Sequence, residues 1–288
     1  MNSINVAWLQ GKWFGDAEST QAWYQEQARS YRGANLDLLV LPELFHTPYF
    51  AFEEHVRHFD CAIAKDDPLI DEWRSIAQEL NCVIVFPFFE RRSTGIYHNS
   101  AYVFERDGSI AGFYRKSHIP DDPGFYEKYY FMPGDTGFKV IQTSAGNLGI
   151  LICWDQWFPE AARLMALQGA DLLIYPTAIG WDAGEPQEIY GRQRDSWQTV
   201  MRGHAIANRL FVMAVNRVGR EQDLTFWGHS FACAPDGYML HETPPDFLGG
   251  TVIRLDLGEI EAQRRVWPHF RDRRTDLYSN ILHMWETP

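Results

Sequence analysis

The sequence predicts an α/β fold in which buried strands alternate with amphipathic helices. Three observations lead to this prediction. A strand, a helix of roughly ten residues and a second strand follow one another between positions 148 and 175. Apolar runs such as 83–89 are short and nearly continuous, which is typical of strands covered on both faces. Hydrophobic residues make up 45% of the 288 positions, so the chain can bury a substantial core.

The strand–helix–strand unit carries the most informative residues of the chain. The apolar run 148–152 predicts a buried strand, and Cys153 follows it directly. Pro159 suits the first turn of the helix, where its missing N–H would have no partner, and Gly169 is placed to end that helix. The run 171–175 predicts the second strand. Ligands usually bind beyond the carboxyl ends of strands in such units, and Cys153 lies at such an end.

The residues before this unit also alternate between strand and helix patterns. Asp107-Gly108 predicts a hairpin turn, and the Pro-, Gly- and aromatic-rich segment 119–135 predicts an ordered functional loop. Ser19 is a candidate cap for a first helix, whose core-facing residues are predicted to be Ala22, Trp23, Ala28 and Tyr31. A second helix is predicted over 69–80, and strands over 4–9, 37–41, 83–89, 100–104, 110–114 and 140–143.

The carboxyl-terminal third continues the pattern. The polar, irregular segment 181–195 is a candidate lid, and Pro235-Asp236-Gly237 predicts a second hairpin turn. No linker or repeat interrupts the chain, so we expect a single domain over 1–288. The aromatic tail, about 266–288, is expected to pack on the body or on a neighbouring subunit. Helices are predicted over 194–208 and 256–265, and strands over 210–215, 228–233, 238–241 and 251–255.

Composition and charge exclude several classes of function. The net charge of −12 argues against nucleic-acid binding, which needs a basic face. The chain contains neither a signal-peptide pattern nor a membrane-length apolar run, and its four cysteines form no C-x-x-C pair, so a cytoplasmic location without membrane partners is expected. His55 and His58 have helix-compatible spacing but no further ligand nearby in sequence, so no metal site is predicted.

Three reactive side chains share one kind of position in this pattern. Glu43, Lys116 and Cys153 each lie at or just after the end of a predicted strand. A cysteine is most often a small buried hydrophobe, but a thiol beside a turn can have its pKa lowered by free N–H groups. In one pocket, the carboxylate could accept the thiol proton, the thiolate could attack a carbonyl carbon and the ammonium could hold the oxyanion. Glu43 and Lys116 could equally be solvated charges.

Three motifs carry a resemblance to a known family. LPELF around Glu43, YRKSHIP around Lys116 and GILICWDQWFPEAAR around Cys153 resemble the Glu-Lys-Cys motifs of the nitrilase, or carbon-nitrogen hydrolase, superfamily. Within it the chain looks most like the N-carbamoylputrescine amidohydrolases, and the similarity covers nearly the whole chain, including LFHTPYF (44–50), KSHIPDDPGFYEKYYFMPGDTGFKV (116–140) and RDRRTDLY (271–278). The resemblance implies a four-layer α-β-β-α sandwich that forms homo-oligomers, without a metal or organic cofactor.

The resemblance also implies roles for individual residues. Glu43 would be the general base, Lys116 the oxyanion stabiliser and Cys153 the nucleophile, while Glu127 matches the additional glutamate that positions the lysine and the substrate. The substrate would be a small cationic N-carbamoyl amine, which is cleaved through a thiol-carbamoyl intermediate. The oxyanion would also meet the backbone N–H of Trp154.

The distal ammonium of such a substrate needs an anionic or aromatic receiver. Candidates by motif position are Tyr49, Asp155 and an acid of the 181–195 segment such as Glu188. Asp155 could equally cap the following helix. His46 departs from the motif, since related sequences often have an acid there.

Two alternative functions stay open at this point. A sister amidohydrolase could act on another N-carbamoyl amine or amino acid such as N-carbamoyl-β-alanine, and an anionic substrate of that kind would call for arginines in the pocket. A binding subunit that kept the fold without catalysis is the other alternative, although the intact set of Glu43, Lys116 and Cys153 argues against it.

Overall fold

The computed structural model describes residues 3–285. The first two and last three residues, which belong to the predicted domain 1–288 and to its tail, lie outside the described residues. The strands are β1 Ser3–Trp8, β2 Leu38–Val40, β3 Val83–Ser93, β4 Ile96–Phe104, β5 Ile110–Arg115, β6 Ile141–Thr143, β7 Gly146–Ile150, β8 Leu172–Thr177, β9 Gly180–Asp182, β10 Phe211–Asn216, β11 Val218–Glu221, β12 Leu224–Trp227, β13 Phe231–Cys233, β14 Met239–Glu242 and β15 Val252–Asp256. The α-helices are α1 Ala17–Ser30, α2 Pro68–Leu80, α3 Pro159–Leu167, α4 Tyr190–Asn208 and α5 Gly258–Val266.

Two six-stranded sheets form the centre of the molecule. The first sheet has the order β15-β1-β2-β3-β4-β5, and the second has the order β14-β13-β10-β8-β7-β6. Strands β1, β2 and β3 are parallel, as are β7, β8 and β10. The predicted strand–helix–strand unit is confirmed, because β7 and β8 pair in parallel, with Leu148 opposite Leu172, on either side of α3.

The side chains of β3 show why the molecule has four layers. Val83 and Val85 point into the core that the two sheets share, whereas Ile84 and Phe86 pack in a second cluster with Trp73 of α2. This alternation follows from the two-residue period of a strand that is covered on both faces. Helices α1 and α2 therefore cover the first sheet. The buried faces of α3 and α4 belong to the same cluster as the second sheet, so the predicted α-β-β-α sandwich is confirmed.

The starts of α1 and α4 differ most from the sequence prediction. Asp16, not Ser19, caps α1, because its carboxylate accepts the backbone N–H of Ser19. The buried positions of α1 are Thr20, Tyr24 and Ala28, while the predicted core residue Ala22 is exposed. Helix α4 begins at Tyr190, four residues before the predicted start. No side chain caps it there, so the sequence carried no start signal.

The structure contains a small third sheet that the sequence pattern did not predict. Strands β11 and β12 form a hairpin, and β9 pairs antiparallel with β12. Its members are three or four residues long, which is too short for a clear alternation of apolar and polar side chains. The sheet contains part of the predicted lid segment 181–195, whose first residues are thereby ordered. Within residues 3–285, no helix is long and apolar enough to cross a membrane.

Candidate active site

The structure brings Glu43, Lys116, Glu127 and Cys153 together at the carboxyl ends of the strands. Glu43 lies in the turn after β2, Lys116 directly follows β5, and Cys153 lies three residues beyond β7. The Lys116 ammonium donates hydrogen bonds to Glu43 Oε1 over 2.8 Å and to Glu127 Oε2 over 2.6 Å. None of these three charged side chains is exposed to solvent. The three charged side chains therefore form one buried cluster, and Cys153 lies near enough to interact electrostatically with each of them.

The turn after β2 presents the Glu43 carboxylate to this cluster. Leu44 has a left-handed backbone with φ of 50°, which few residues other than glycine adopt. Glu43 Oε1 accepts hydrogen bonds from Asn99 Nδ2, over 2.6 Å, as well as from Lys116. Glu43 Oε2 is buried and accepts no hydrogen bond from any residue in the described range. This oxygen can therefore receive a proton.

The two carboxylates determine the charge of Lys116. Burial alone would lower the pKa of the Lys116 ammonium, but Glu127 and Glu43 outweigh burial and raise it above its ordinary value. Lys116 is thus a permanent cation. Its two ion pairs use two of the three ammonium protons.

Burial disfavours the anionic form of Glu127. Burial raises the pKa of Glu127 from 4.5 to about 7, with Lys116 lowering it and Glu43 raising it further. The second oxygen of its carboxylate accepts a 3.1 Å hydrogen bond from the hydroxyl of Tyr49.

Cys153 occupies a strained position that directs its thiol toward the cluster. Its φ is 44°, and it opens a 3-10 turn, Cys153–Trp157, that separates the strand from α3. Its Sγ lies 3.9 Å from the backbone oxygen of Ala178, which follows β8 at the same edge of the sheet. Only 5% of the residue is exposed. Strain of this kind is common at functional positions because surrounding contacts must maintain it.

The expectation that turn N–H groups lower the pKa of this thiol was wrong. Burial raises the pKa of Cys153 well above its ordinary value and Glu43 raises it further, whereas Lys116 acts in the opposite direction. The resting thiol therefore keeps its proton. A nucleophile in this state needs a nearby base that removes the proton as attack begins.

Asp155 does not face the substrate space, contrary to one of the two predictions for it. Its carboxylate is fully buried and accepts four hydrogen bonds from the protein, which come from the backbone of Ile152, the hydroxyl of Tyr114, and the backbone and ring nitrogens of His118. It does not cap α3 either, since Phe158 occupies that position without a side-chain hydrogen bond. Asp155 instead ties the Cys153 turn to the segment after Lys116.

A cavity of about 740 Å³ opens in front of Cys153. The base of the cavity includes Glu127, Cys153 and Ala178. Its wall combines aromatic rings with carboxylates from two segments, and it is lined by Asp122, Phe125, Trp154, Trp157, Asp182, Glu185, Arg192 and Trp227, among others. Arg192 is the sole cationic side chain of this lining in the described part of the chain. The wall is therefore mainly apolar and anionic.

The other predicted substrate-binding residues have different relations to this cavity. Trp154 lines it. Tyr49 is fully buried behind Glu127 and contacts the site through that carboxylate. Glu188 is exposed and lies outside the lining, whereas Glu185 of the same segment lies within it. Glu185 is therefore an acid of this segment that the cavity presents to a substrate.

Sequence reasoning missed three polar residues that support the site, of which Asn99 and Arg217 are buried. Asn99 holds Glu43 from β4. Arg217 donates to the backbone oxygens of Leu44 and Thr47 and pairs with Glu221. Except for the Arg217–Glu221 pair, these contacts join residues that are more than 50 positions from each other in the chain. No local sequence signal therefore marks them.

His46, the departure from the motif, is an uncharged part of this support. Its side chain is buried, and Nε2 accepts the backbone N–H of Phe89 over 3.4 Å. Burial, together with nearby Arg217, lowers the pKa of His46 to about 3. Elsewhere, His58 pairs with Glu53, and residues 3–285 contain no group of three or more His, Cys, Asp or Glu that could hold a metal ion.

Comparison with known proteins decides the family. A family model described as carbon-nitrogen hydrolase matches residues 5–265. The chain belongs to the carbon-nitrogen hydrolase family. The resemblance seen in the three motifs is thus confirmed, and this carbon-nitrogen hydrolase acts on amide or ureido bonds.

Relatives of this hydrolase match over most of its length. The chain is 42% identical to the N-carbamoylputrescine amidase of Arabidopsis thaliana over 290 residues, which cover 98% of this chain and 96% of that protein. It is 43% identical to a citrullinase of Francisella tularensis over 255 residues, covering 86% and 87% of the two chains. The crystal structure of a carbon-nitrogen hydrolase from Helicobacter pylori G27 is 44% identical, with a TM-score of 0.94 over 99% of this chain and all of that one.

Proposed function

We propose that the protein hydrolyses N-carbamoylputrescine to putrescine, ammonia and carbon dioxide. The observation that carries the proposal is the buried Glu43–Lys116–Glu127 cluster beside Cys153, which opens on a cavity with carboxylates in its wall. The similarity to N-carbamoylputrescine amidases over nearly the whole chain supports the choice of substrate.

In the first half of the reaction, Cys153 attacks the ureido carbon. Glu43 takes the thiol proton through its free oxygen and passes it to the departing nitrogen, which leaves as ammonia. The oxyanion that develops is held by the Lys116 ammonium and the backbone N–H of Trp154. The product of this half is a thiol-carbamoyl intermediate that retains the aminobutyl chain.

In the second half, water replaces the thiol. Glu43 takes a proton from the water as it attacks the carbamoyl carbon, and the sulfur of Cys153 leaves with that proton. The released carbamic acid separates into putrescine and carbon dioxide. Glu127 holds the Lys116 ammonium in place throughout, and Tyr49 holds Glu127.

The cavity wall supports a cationic substrate. The distal ammonium of N-carbamoylputrescine would lie against Asp182 and Glu185, with Asp122 adding negative charge on the facing segment. Trp154 and Trp157 would cover the apolar chain. Asp155 and Glu188, which were candidates for this role, are not part of the proposed receiver.

A ureido amino acid is the second candidate substrate. The similarity to a citrullinase and the presence of Arg192 in the lining favour it. The carboxylates of Asp122, Asp182 and Glu185 in the same lining oppose a second anion there. The proposal therefore keeps the cationic substrate.

The test is ammonia release by the purified protein given N-carbamoylputrescine, citrulline, N-carbamoyl-β-alanine or a simple aliphatic amide in parallel, with Cys153→Ala as the blank. The proposal predicts the highest kcat/KM for N-carbamoylputrescine. A higher value for citrulline would transfer the assignment to the second candidate. Absence of release from all four would instead favour a binding subunit of the same fold.

We also propose a homo-oligomer in which the tail contacts a second copy. Phe270 packs on the body against Arg163 and Arg264, but the apolar side chains beyond it are exposed. Leu277, Ile281, Leu282, Met284 and Trp285 have between 63% and 100% of their surface exposed. An apolar stretch of this size is normally covered by a partner. Light scattering of the full chain and of a chain ending at residue 274 should give different masses.

A cytoplasmic location is proposed on the cysteines. All four are free, and Cys82, Cys153 and Cys233 are buried without a partner thiol. This usage fits a reducing compartment. Fractionation of cells that express the full chain should recover it in the cytosolic fraction.

A further inference from the structure

The base and the nucleophile come from different sheets. Glu43 extends from β2 of the first sheet, and its hydrogen-bond partners Asn99 and Lys116 also belong to that sheet or follow its last strand. Cys153 extends from β7 of the second sheet. Both donors to Glu43 thus come from the first sheet, and its position relative to the thiol also depends on contacts that connect the Glu43 turn to the second sheet.

Arg217 provides a connection of this kind. It directly follows β10, a neighbour of β8 in the second sheet, and only 1% of the residue is exposed. Its Nη1 donates to the backbone oxygen of Leu44 and its Nη2 to that of Thr47, both over 3.1 Å. Both acceptors belong to the turn that carries Glu43. The planar guanidinium is suited to such paired contacts because its donors are fixed in one geometry.

Glu221 completes the connection. One oxygen of its carboxylate accepts a 2.5 Å hydrogen bond from Arg217, and the other accepts the backbone N–H of Tyr49 over 2.7 Å. Tyr49 in turn donates its hydroxyl to Glu127. From the second and third sheets, the Arg217–Glu221 pair thus holds the turn that carries Glu43 and, through Tyr49, contacts Glu127.

The backbone that this pair holds is strained. Leu44, next to Glu43, keeps its left-handed conformation while its carbonyl accepts from Arg217 and from both the backbone N–H and the hydroxyl of Thr47. Such a conformation persists only where surrounding contacts impose it. A buried ion pair is also a poor device for stability alone, because desolvation offsets its attraction.

We infer that Arg217, paired with Glu221, is a positioning residue that sets the Glu43 carboxylate at proton-transfer distance from the Cys153 thiol. The inference rests on the proposed role of Glu43 as the base. Arg217 acts on the turn and touches neither the substrate nor the thiol. Loss of Arg217 should slow proton removal from Cys153 when Glu43 is present, and should have almost no effect when Glu43 has been replaced.

The test measures alkylation of Cys153 by iodoacetamide, followed by mass spectrometry of the peptide that contains it, in four proteins: the parent, Arg217→Met, Glu43→Gln and the double variant. Arg217→Met is expected to slow alkylation roughly ten- to a hundredfold, as small misplacements of catalytic groups do. In the Glu43→Gln background the same change should have almost no further effect. Arg217→Lys, which keeps the charge but not the paired geometry, provides a milder form of the change if Arg217→Met does not fold.

Arg209→Met is the matched control. Arg209 is also buried and lies just before β10, at the opposite end of the strand from Arg217. This variant should leave the alkylation rate unchanged. Three results would overturn the inference. Arg217→Met could slow alkylation equally with and without Glu43, or Arg209→Met could slow it as much as Arg217→Met does. The third is that neither Arg217 variant slows alkylation. If Glu43→Gln itself leaves the alkylation rate unchanged, the proposed role of Glu43 as the base is contradicted before the role of Arg217 is tested. Because alkylation needs no substrate, these results are independent of the substrate assignment.

Discussion

The ammonium of Lys116 lies 2.8 Å from the carboxylate of Glu43, and neither side chain is exposed to solvent. Two opposite charges in such a place stabilise each other, whereas either one alone would be strongly disfavoured. Substitutions in the cluster must therefore preserve shape if their effects on chemistry are to be separated from effects on folding.

Glu43→Gln is such a substitution. The amide keeps the size of the carboxylate but cannot accept the thiol proton, so we expect kcat for ammonia release to fall by about 10²- to 10⁴-fold. Circular dichroism should show an unchanged fold. An unaltered kcat would remove Glu43 from the mechanism.

Glu127 gives the protein a specific pH dependence of stability. Because its pKa is raised from 4.5 to about 7, the folded protein retains a proton that the unfolded chain releases in this window. Titration of Glu127 is therefore expected to lower the free energy of unfolding as the pH rises from 4.5 to about 7.

Urea unfolding of the parent and of Glu127→Gln across this window measures that contribution. As the pH rises, the free energy of unfolding of the parent should fall relative to that of Glu127→Gln, whichever protein is more stable at acidic pH. Parallel curves, or a relative gain, would contradict the raised pKa.

Asp155→Asn should affect both stability and catalysis. One carboxylate oxygen would be replaced by an amide NH2 group, which cannot accept the hydrogen bonds that N–H and O–H donors now give to the carboxylate. We expect a loss of about 2 kcal/mol or more in the free energy of unfolding, together with a lower kcat, because the Cys153 turn loses its connection to the segment after Lys116.

Asp171→Asn is the control for this prediction. Asp171 also accepts a backbone N–H, that of Asn147, but it directly precedes β8 and so lies at the opposite end of that strand from the site. It should lower stability without lowering kcat at temperatures where the protein is folded. A normal kcat in Asp155→Asn would show that the connection is purely structural.

Glu185 and Glu188 provide a matched pair for the substrate pocket. Glu185 lines the cavity and Glu188, three residues later, is exposed outside it. Glu185→Gln is expected to raise KM for N-carbamoylputrescine by roughly tenfold, the equivalent of about 1.4 kcal/mol of lost binding, with little change in kcat. Glu188→Gln should change neither constant. Equal effects of the two substitutions would place the ammonium elsewhere.

The sequence predicted the strands that carry the site because each is a short apolar run followed by turn residues. The ends at Glu43, Lys116 and Cys153 were located within a few residues, since a reactive side chain at such a boundary is conspicuous. The buried state of these charges was not visible in the pattern. It depends on partners such as Glu127 and Asn99, which only the folded chain brings near.

The parts that could not be predicted depend on long-range contacts. Arg217 and Leu44 are 173 positions apart, and no periodicity links them. Asp155 was consistent with either a receiver or a cap, because a carboxylate in a turn suits both. Two of its three partner residues, Tyr114 and His118, lie 41 and 37 positions earlier in the chain. The lowered pKa expected for Cys153 was wrong because the fold hides the thiol from water and places the Glu43 carboxylate near it, and both effects raise its pKa.

The most direct test of the mechanism is the mass of the enzyme during turnover. The parent enzyme is mixed with excess N-carbamoylputrescine, quenched in acid during turnover and digested for mass spectrometry, with Cys153→Ala as the control. The account predicts a carbamoyl adduct that retains the aminobutyl chain, located on Cys153 and absent from the control. An adduct without that chain would reverse the order in which the two amines leave, and an adduct on another residue would contradict Cys153 as the nucleophile.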